Sequence, residues 1–224
     1  QVRNSGGYPK LNVKVVGSHA GISVGEDGAT HQCCEDIALM RTIPGMVILN
    51  PSDHYEMKAA VRAAIEHKGP CYIRLGRLAV ESINNNDDYH FELGKGIQLR
   101  EGTDITIVAT GLMVAEAVKA AKALEAEGIS AEVINIHTIK PLDEEIILNS
   151  AKKTGRVVTV EEHNIIGGLG EAVAAVLSEK CPTPVTRIGV NDVFGHSGPA
   201  VDLLKEFGLS AENIAATVKK VLSK

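Results

Sequence analysis

The feature that most restricts how this chain can fold is a set of short, almost wholly apolar segments that recur between helical patterns. Residues 105–109, 133–136, 157–160 and 185–188 lack the polar alternation of a strand with one wet face. Strands of that kind must be covered on both sides, which parallel sheets achieve with crossover helices. Helical patterns fill the gaps at 113–127, 143–152 and 168–179, and 211–222 closes the chain. The expectation is a small doubly wound α/β domain over residues 96–224.

The earlier part of the chain repeats the alternation: a strand at 13–16, a glycine-rich stretch, a helix at 32–41, a strand at 47–49, a helix at 55–67 and a strand at 71–75. In the second of these helices Met57, Ala60, Val61, Ala64 and Ile65 share one face, and Asp53 with Glu56 reads as a capping box. Gly69 and Pro70 end it. The polar run Asn84-Asn85-Asn86-Asp87-Asp88 stops both patterns and opens a linker over 84–95. The fold class is therefore α/β, with two parallel-sheet domains at 1–83 and 96–224. Because sheets more often hold about 4 to 6 strands, a first domain with three reads as incomplete on its N-terminal side.

Composition removes several functions. A net charge of −5 with interspersed signs offers no basic face, so nucleic acid is not expected as a partner. The apolar runs fall far short of the roughly 20 residues of a membrane span, and no signal-peptide stretch opens the sequence. A cytoplasmic location is expected. Cys33, Cys34, Cys71 and Cys181 contain no C-x-x-C pair, which points to reduced structural thiols rather than zinc or redox chemistry.

Chemistry concentrates in residues 17–32, where four glycines, two histidines and two adjacent carboxylates follow the first strand. Loops longer than about 12 residues are usually functional or disordered, and this one leaves a strand's carboxyl end, where open α/β sheets place ligands. Thr30 is a candidate N-cap, setting His31 in the first helical turn, where the dipole favours a neutral imidazole. Two further readings stand beside a ligand-binding loop: disorder, and a metal site made of His19, Asp27, His31 and Cys33, whose spacing is irregular. Gly167-Gly168-Leu169-Gly170 lacks the G-x-G-x-x-G order and reads as close strand-to-helix packing rather than nucleotide binding. Glu161, Glu162 and His163 end a strand, either as a second polar site or in support of the fold or an interface.

The run H-A-G-I-S-V-G-E-D-G-A-T-H-Q at 19–32 resembles the substrate loop of transketolases, which in single-chain members commonly reads H-D-S-I-G-x-G-E-D-G-P-T-H-Q. The likeness continues through Glu35 to Arg41, through Asn50-Pro51-Ser52-Asp53, and through Val160 to Asn164. Ala20, Gly21 and Ala29 depart from the single-chain pattern in the manner of two-subunit transketolases. Deoxyxylulose-phosphate synthases share D-G-x-T-H, but their loop is one residue shorter and lacks the match at Glu26.

The resemblance implies an enzyme component that, with thiamine diphosphate and a divalent cation such as Mg or Ca, transfers a two-carbon ketol unit between phosphorylated ketoses and aldoses in pentose phosphate metabolism. By position, His19 and Arg77 would bind the substrate phosphate, and Asp27 the acceptor's C2 hydroxyl. His31 would contact donor hydroxyls and the cofactor's amino group and assist proton transfer, with His19 and His31 as the catalytic pair. Arg77 is preferred to Arg74, whose place in the strand's apolar pattern suits a structural ion pair. No match to the glutamate and aromatic residue that hold the cofactor's pyrimidine ring is present, and the diphosphate and metal belong to another domain, so the chain itself is assigned no metal ligands. An N-terminal transketolase subunit is the implied partner, the later block is expected to dimerise, and the isolated chain is expected to be inactive. The alternatives are a component of deoxyxylulose-phosphate synthase or of a keto-acid dehydrogenase (the E1 β part), and a non-catalytic dimerisation module.

Overall fold

A computed structural model describes residues 1–84 and 89–223. Asn85, Asn86, Asp87 and Asp88, the centre of the expected linker, lie outside the described residues. The elements in order are β1 (Lys14–Gly17), α1 (Asp36–Arg41), β2 (Val47–Leu49), α2 (His54–Glu66), β3 (Cys71–Arg74), β4 (Ile97–Arg100), β5 (Ile105–Ala109), α3 (Met113–Ala126), β6 (Ala131–Asn135) and β7 (Thr138–Lys140). They continue with α4 (Glu144–Thr154), β8 (Val157–Asn164), α5 (Leu169–Lys180), β9 (Val185–Val190), α6 (Ala200–Glu206) and α7 (Ala211–Leu222).

The α/β class holds. Every residue of β5 and β6 is buried, as apolar strands covered on both faces must be. The second sheet runs β4-β6-β5-β8-β9, parallel except for β4. The first runs β1-β3-β2-β7. Its fourth strand was not expected: β7 comes from the later block and pairs antiparallel with β2. The sheet that looked short by itself is thus extended by the other block. One apolar cluster accordingly joins Ile37, Met46 and Ile48 of the first block to Val108, Ile134 and Ile139 of the second.

Three local expectations are corrected. Helix α1 starts at Asp36, not at residue 32, and its N-cap is Glu35 rather than Thr30. Residues 33–34 are instead drawn into extended pairing: Ala20 bridges Cys33, and the Asn164 N–H donates to the Cys34 carbonyl at 2.7 Å. A segment whose backbone groups bond outward cannot also close i−4 bonds. At α2 the Asp53 carboxylate accepts from the Glu56 N–H at 2.9 Å, but the return arm reaches one residue further, Glu56 accepting from the Ser52 N–H. Ile65, placed on the buried face of α2, is 66% exposed, because it lies roughly 80° around the helix from Met57.

The start of the linker is less solvated than its composition suggested. Asn84 is buried, and the Ile83 and Asn84 N–H groups both donate to Asp53 Oδ2 at 2.8 Å. Among the described residues no helix is long and apolar enough to cross a membrane.

Candidate active site

The loop between β1 and α1 is ordered by short bonds at its neck. The Leu75 N–H donates to the Gly17 carbonyl, the Ala20 N–H to the Leu75 carbonyl and the Gly21 N–H to the Cys33 carbonyl, at 2.8, 3.1 and 2.8 Å. Between those closures the chain forms a short 3₁₀ turn, Ile22–Asp27, whose first four residues are buried. Gln32 lies under the turn, its side-chain amide donating to the carbonyls of Ile22, Gly25 and His196. From the other side Ser197 Oγ donates to the Glu26 carbonyl at 2.5 Å.

Beneath the loop sits a buried charged group. Arg74 Nε pairs with Asp36 Oδ2 at 2.8 Å, and the Tyr72 hydroxyl donates to the same oxygen at 2.7 Å. Arg74 Nη2 donates to the Glu162 carbonyl at 2.9 Å. Burial opposes ionisation of Asp36, yet Arg74 and Tyr72 outweigh it and hold the carboxyl below its usual range. Arg74 is therefore the structural partner that its place in the strand suggested.

The end of β8 supplies three buried polar side chains. Glu162 Oε1 accepts from the Ser23 N–H at 2.6 Å, and burial raises its pKa. Glu161 accepts from the Leu169 and Gly170 N–H groups at the start of α5, at 2.6 and 2.8 Å, and burial pushes it up to about 7. His163 Nδ1 lies 2.7 Å from the Asn164 carbonyl, so it carries the proton, while Nε2 accepts from the Ala38 N–H. Burial lowers its pKa to about 4. All three tie the loop, α1 or α5 to the second sheet. A Cβ at Gly168 would collide with the Glu161 carboxylate and one at Gly167 with Ala38, which explains the glycine run as close packing.

The expected site residues sit on the rim. His19, Asp27, His31 and Arg77 are all exposed. Arg77 Nη1 is 3.2 Å from Glu26 and 4.0 Å from Asp27, and also donates to the Val24 carbonyl. Arg77 and Asp27 are thus brought together. Among the described residues the His19 imidazole bonds only to Ser18 Oγ at 3.1 Å, and the His31 imidazole only to Thr30 Oγ1 at 3.0 Å. Neither imidazole bonds to Asp27 or Arg77, and the helix dipole invoked for His31 does not act on it, since α1 begins five residues later. No three His, Cys, Asp or Glu side chains among the described residues are placed to hold a metal ion, including the set His19, Asp27, His31 and Cys33.

The comparisons with known proteins agree with this architecture. The family model described as the transketolase pyrimidine-binding domain matches residues 1–82, and that of the transketolase C-terminal domain matches residues 94–214. The chain belongs to the transketolase family. It is 52% identical to a Methanocaldococcus jannaschii protein that carries the name transketolase C-terminal section, over all of this chain and 70% of that one. It is 49% identical to a 6-deoxy-6-sulfo-D-fructose transketolase subunit from a Clostridium species, over 99% of this chain and 68% of the relative. A solved structure described as a split-gene transketolase, an inactive beta4 tetramer, superposes with a TM-score of 0.93 at 52% identity, covering 99% of this chain and 71% of that one.

Thiamine diphosphate belongs to this family, and the residues present fit only part of it. The rim offers a guanidinium, a carboxylate and two imidazoles whose Nε2 atoms have no protein partner among the described residues, a set suited to hydroxyls, an anion and one amino group. Reading the sequence alone missed Gln32 and Ser197, which shape the loop without touching its open side; the neighbouring match at 19–32 included Gln32 without indicating its task.

Proposed function

We propose that this transketolase-family chain is the sugar-binding part of a ketol-transferring enzyme, acting with an N-terminal subunit on phosphorylated ketoses and aldoses. The observation that carries the reading is the placing of Arg77 beside Asp27 on the rim of an ordered loop whose imidazoles are open to solvent. Bound thiamine diphosphate supplies the electron sink for breaking and forming the carbon–carbon bond. The chain's own residues bind and orient. Arg77, permanently charged, takes the terminal anion together with His19. Asp27 accepts from an acceptor hydroxyl. His31 exchanges a proton with donor hydroxyls at Nε2, its Nδ1 being held by Thr30.

The cation and the rest of the cofactor are assigned to the partner subunit, and the later block to dimerisation, in line with the two-subunit pattern at Ala20, Gly21 and Ala29. The Clostridium relative's name specifies a sulfonated rather than a phosphorylated ketose, and a guanidinium serves either anion. The deciding experiment mixes this chain with an N-terminal transketolase subunit, thiamine diphosphate and Mg, and follows ketol transfer from a phosphorylated and from a sulfonated ketose. Transfer from the phosphorylated donor, lost in Asp27→Ala, is expected. Undiminished transfer by Asp27→Ala would remove the loop from the reaction, and transfer from the sulfonated donor alone would reassign the anion.

A further inference from the structure

The loop that carries the rim residues belongs to the first sheet, but the carboxylate that holds it comes from the second. We propose that Glu162 is a positioning residue for ketol transfer: by fixing Ser23 and the turn around it, it sets where His19 and Asp27 stand on either side. The inference rests on the reading of this loop as the sugar site. It gives the later block a part in the reaction geometry beyond dimerisation.

Four observations converge. Glu162 is buried at the end of β8, and its Oε1 accepts from the buried Ser23 N–H at 2.6 Å. The loop closes on the carboxylate at Gly21, whose φ of 88° suits glycine and where a Cβ would strike the carboxyl group itself. The Glu162 backbone carbonyl accepts from Arg74, which also holds Asp36 at the start of α1, so both ends of the loop are referred to one point. On the far side the clamp is completed by Ser197 on Glu26 and by the His196 carbonyl on Gln32, again from the second block. Its neighbour Glu161 is buried too but holds the start of α5 rather than the loop, and so serves as an internal control.

Positional error of about 1 Å in a binding group can cost on the order of 10²-fold in rate. The test uses Glu162→Met, which keeps volume and removes the acceptor, and Glu162→Gln, which keeps one acceptor oxygen. In the full chain assembled with its N-terminal subunit, Glu162→Met is expected to lower kcat/KM about 30- to 100-fold with kcat carrying part of the loss, and Glu162→Gln to recover to within about 5-fold. Hydrogen exchange of the free chain gives a second readout: amides of residues 20–28 should exchange at least tenfold faster in the Met variant while those of β5 and β6 do not change. Unchanged exchange in that segment overturns the proposal whether or not the enzyme turns over. Wild-type protein without ketol transfer, combined with the expected exchange pattern, would instead count against the functional reading and leave the anchoring role standing. Equal rates for wild type and Glu162→Met overturn the positioning role.

Discussion

Within the loop between β1 and α1, Ile22, Ser23, Val24, Gly25 and Gln32 are buried and bond to groups up to 164 residues away, whereas His19, Asp27 and His31 are exposed and bond to a neighbour or to Arg77. The floor is fixed by long-range partners, whereas among the described residues the two imidazoles of the rim bond only to their sequence neighbours. A binding constellation needs rigid support beneath side chains that remain free to meet a ligand, and this loop divides those duties between alternate stretches of sixteen residues. Changes to the floor should therefore be read in stability, and changes to the rim in turnover.

The largest expected effect is at the floor. Arg74→Met leaves Asp36 buried without its ion partner, and breaking such a pair typically costs about 3–5 kcal/mol. Chemical unfolding should show that loss, and a cost within about 0.5 kcal/mol would mean that the charged group does not support the loop.

His31→Ala probes the rim. In the assembled enzyme it should lower kcat/KM by about 10²- to 10³-fold while the melting temperature stays within about 2 °C. A large drop in melting temperature would erase the distinction between floor and rim.

A third test sharpens the comparison through pH. Glu161 has a folded pKa of about 7 against an ordinary 4.5, so its stabilising effect is complete below 4.5 and is lost as pH rises through 7. His163, lowered to about 4, works the opposite way: its contribution is present above 6.5 and lost as pH falls through 4. Relative to wild type, Glu161→Gln should gain about 3 kcal/mol between pH 4.5 and 8, measured by denaturant unfolding at several pH values. A pH-independent difference would show that Glu161 titrates alike in the folded and unfolded chain, and that burial does not shift it.

The smallest effect is expected at Arg77, whose contacts are exposed. Arg77→Ala should raise KM for phosphorylated substrates about 10-fold with little change in kcat or stability, as seen by comparing steady-state kinetics with thermal unfolding.

Much of the fold was legible because periodicity is local. Apolar runs at residues 105–109 and 157–160 must be sheathed wherever they lie, and α3, α5 and α7 fall within a residue or two of their expected bounds. The candidate site was legible in its residue types, but the approach of Arg77 to Asp27 was not. Nor were its supports. Gln32 and Ser197 are ordinary polar residues until the 191–199 segment comes to lie against the loop.

What the amino-acid order determined by itself was the alternation of strand and helix and the store of imidazoles and carboxylates on one loop, since both depend on neighbours along the chain. Tertiary structure alone decided that β7 would complete the other block's sheet, that α1 would begin at Asp36, and that Glu162 would hold Ser23. Each of these pairs a backbone group with a partner far away in sequence. Such hydrogen bonds are chosen by which buried groups meet once the two sheets share a core, and no local pattern encodes that choice.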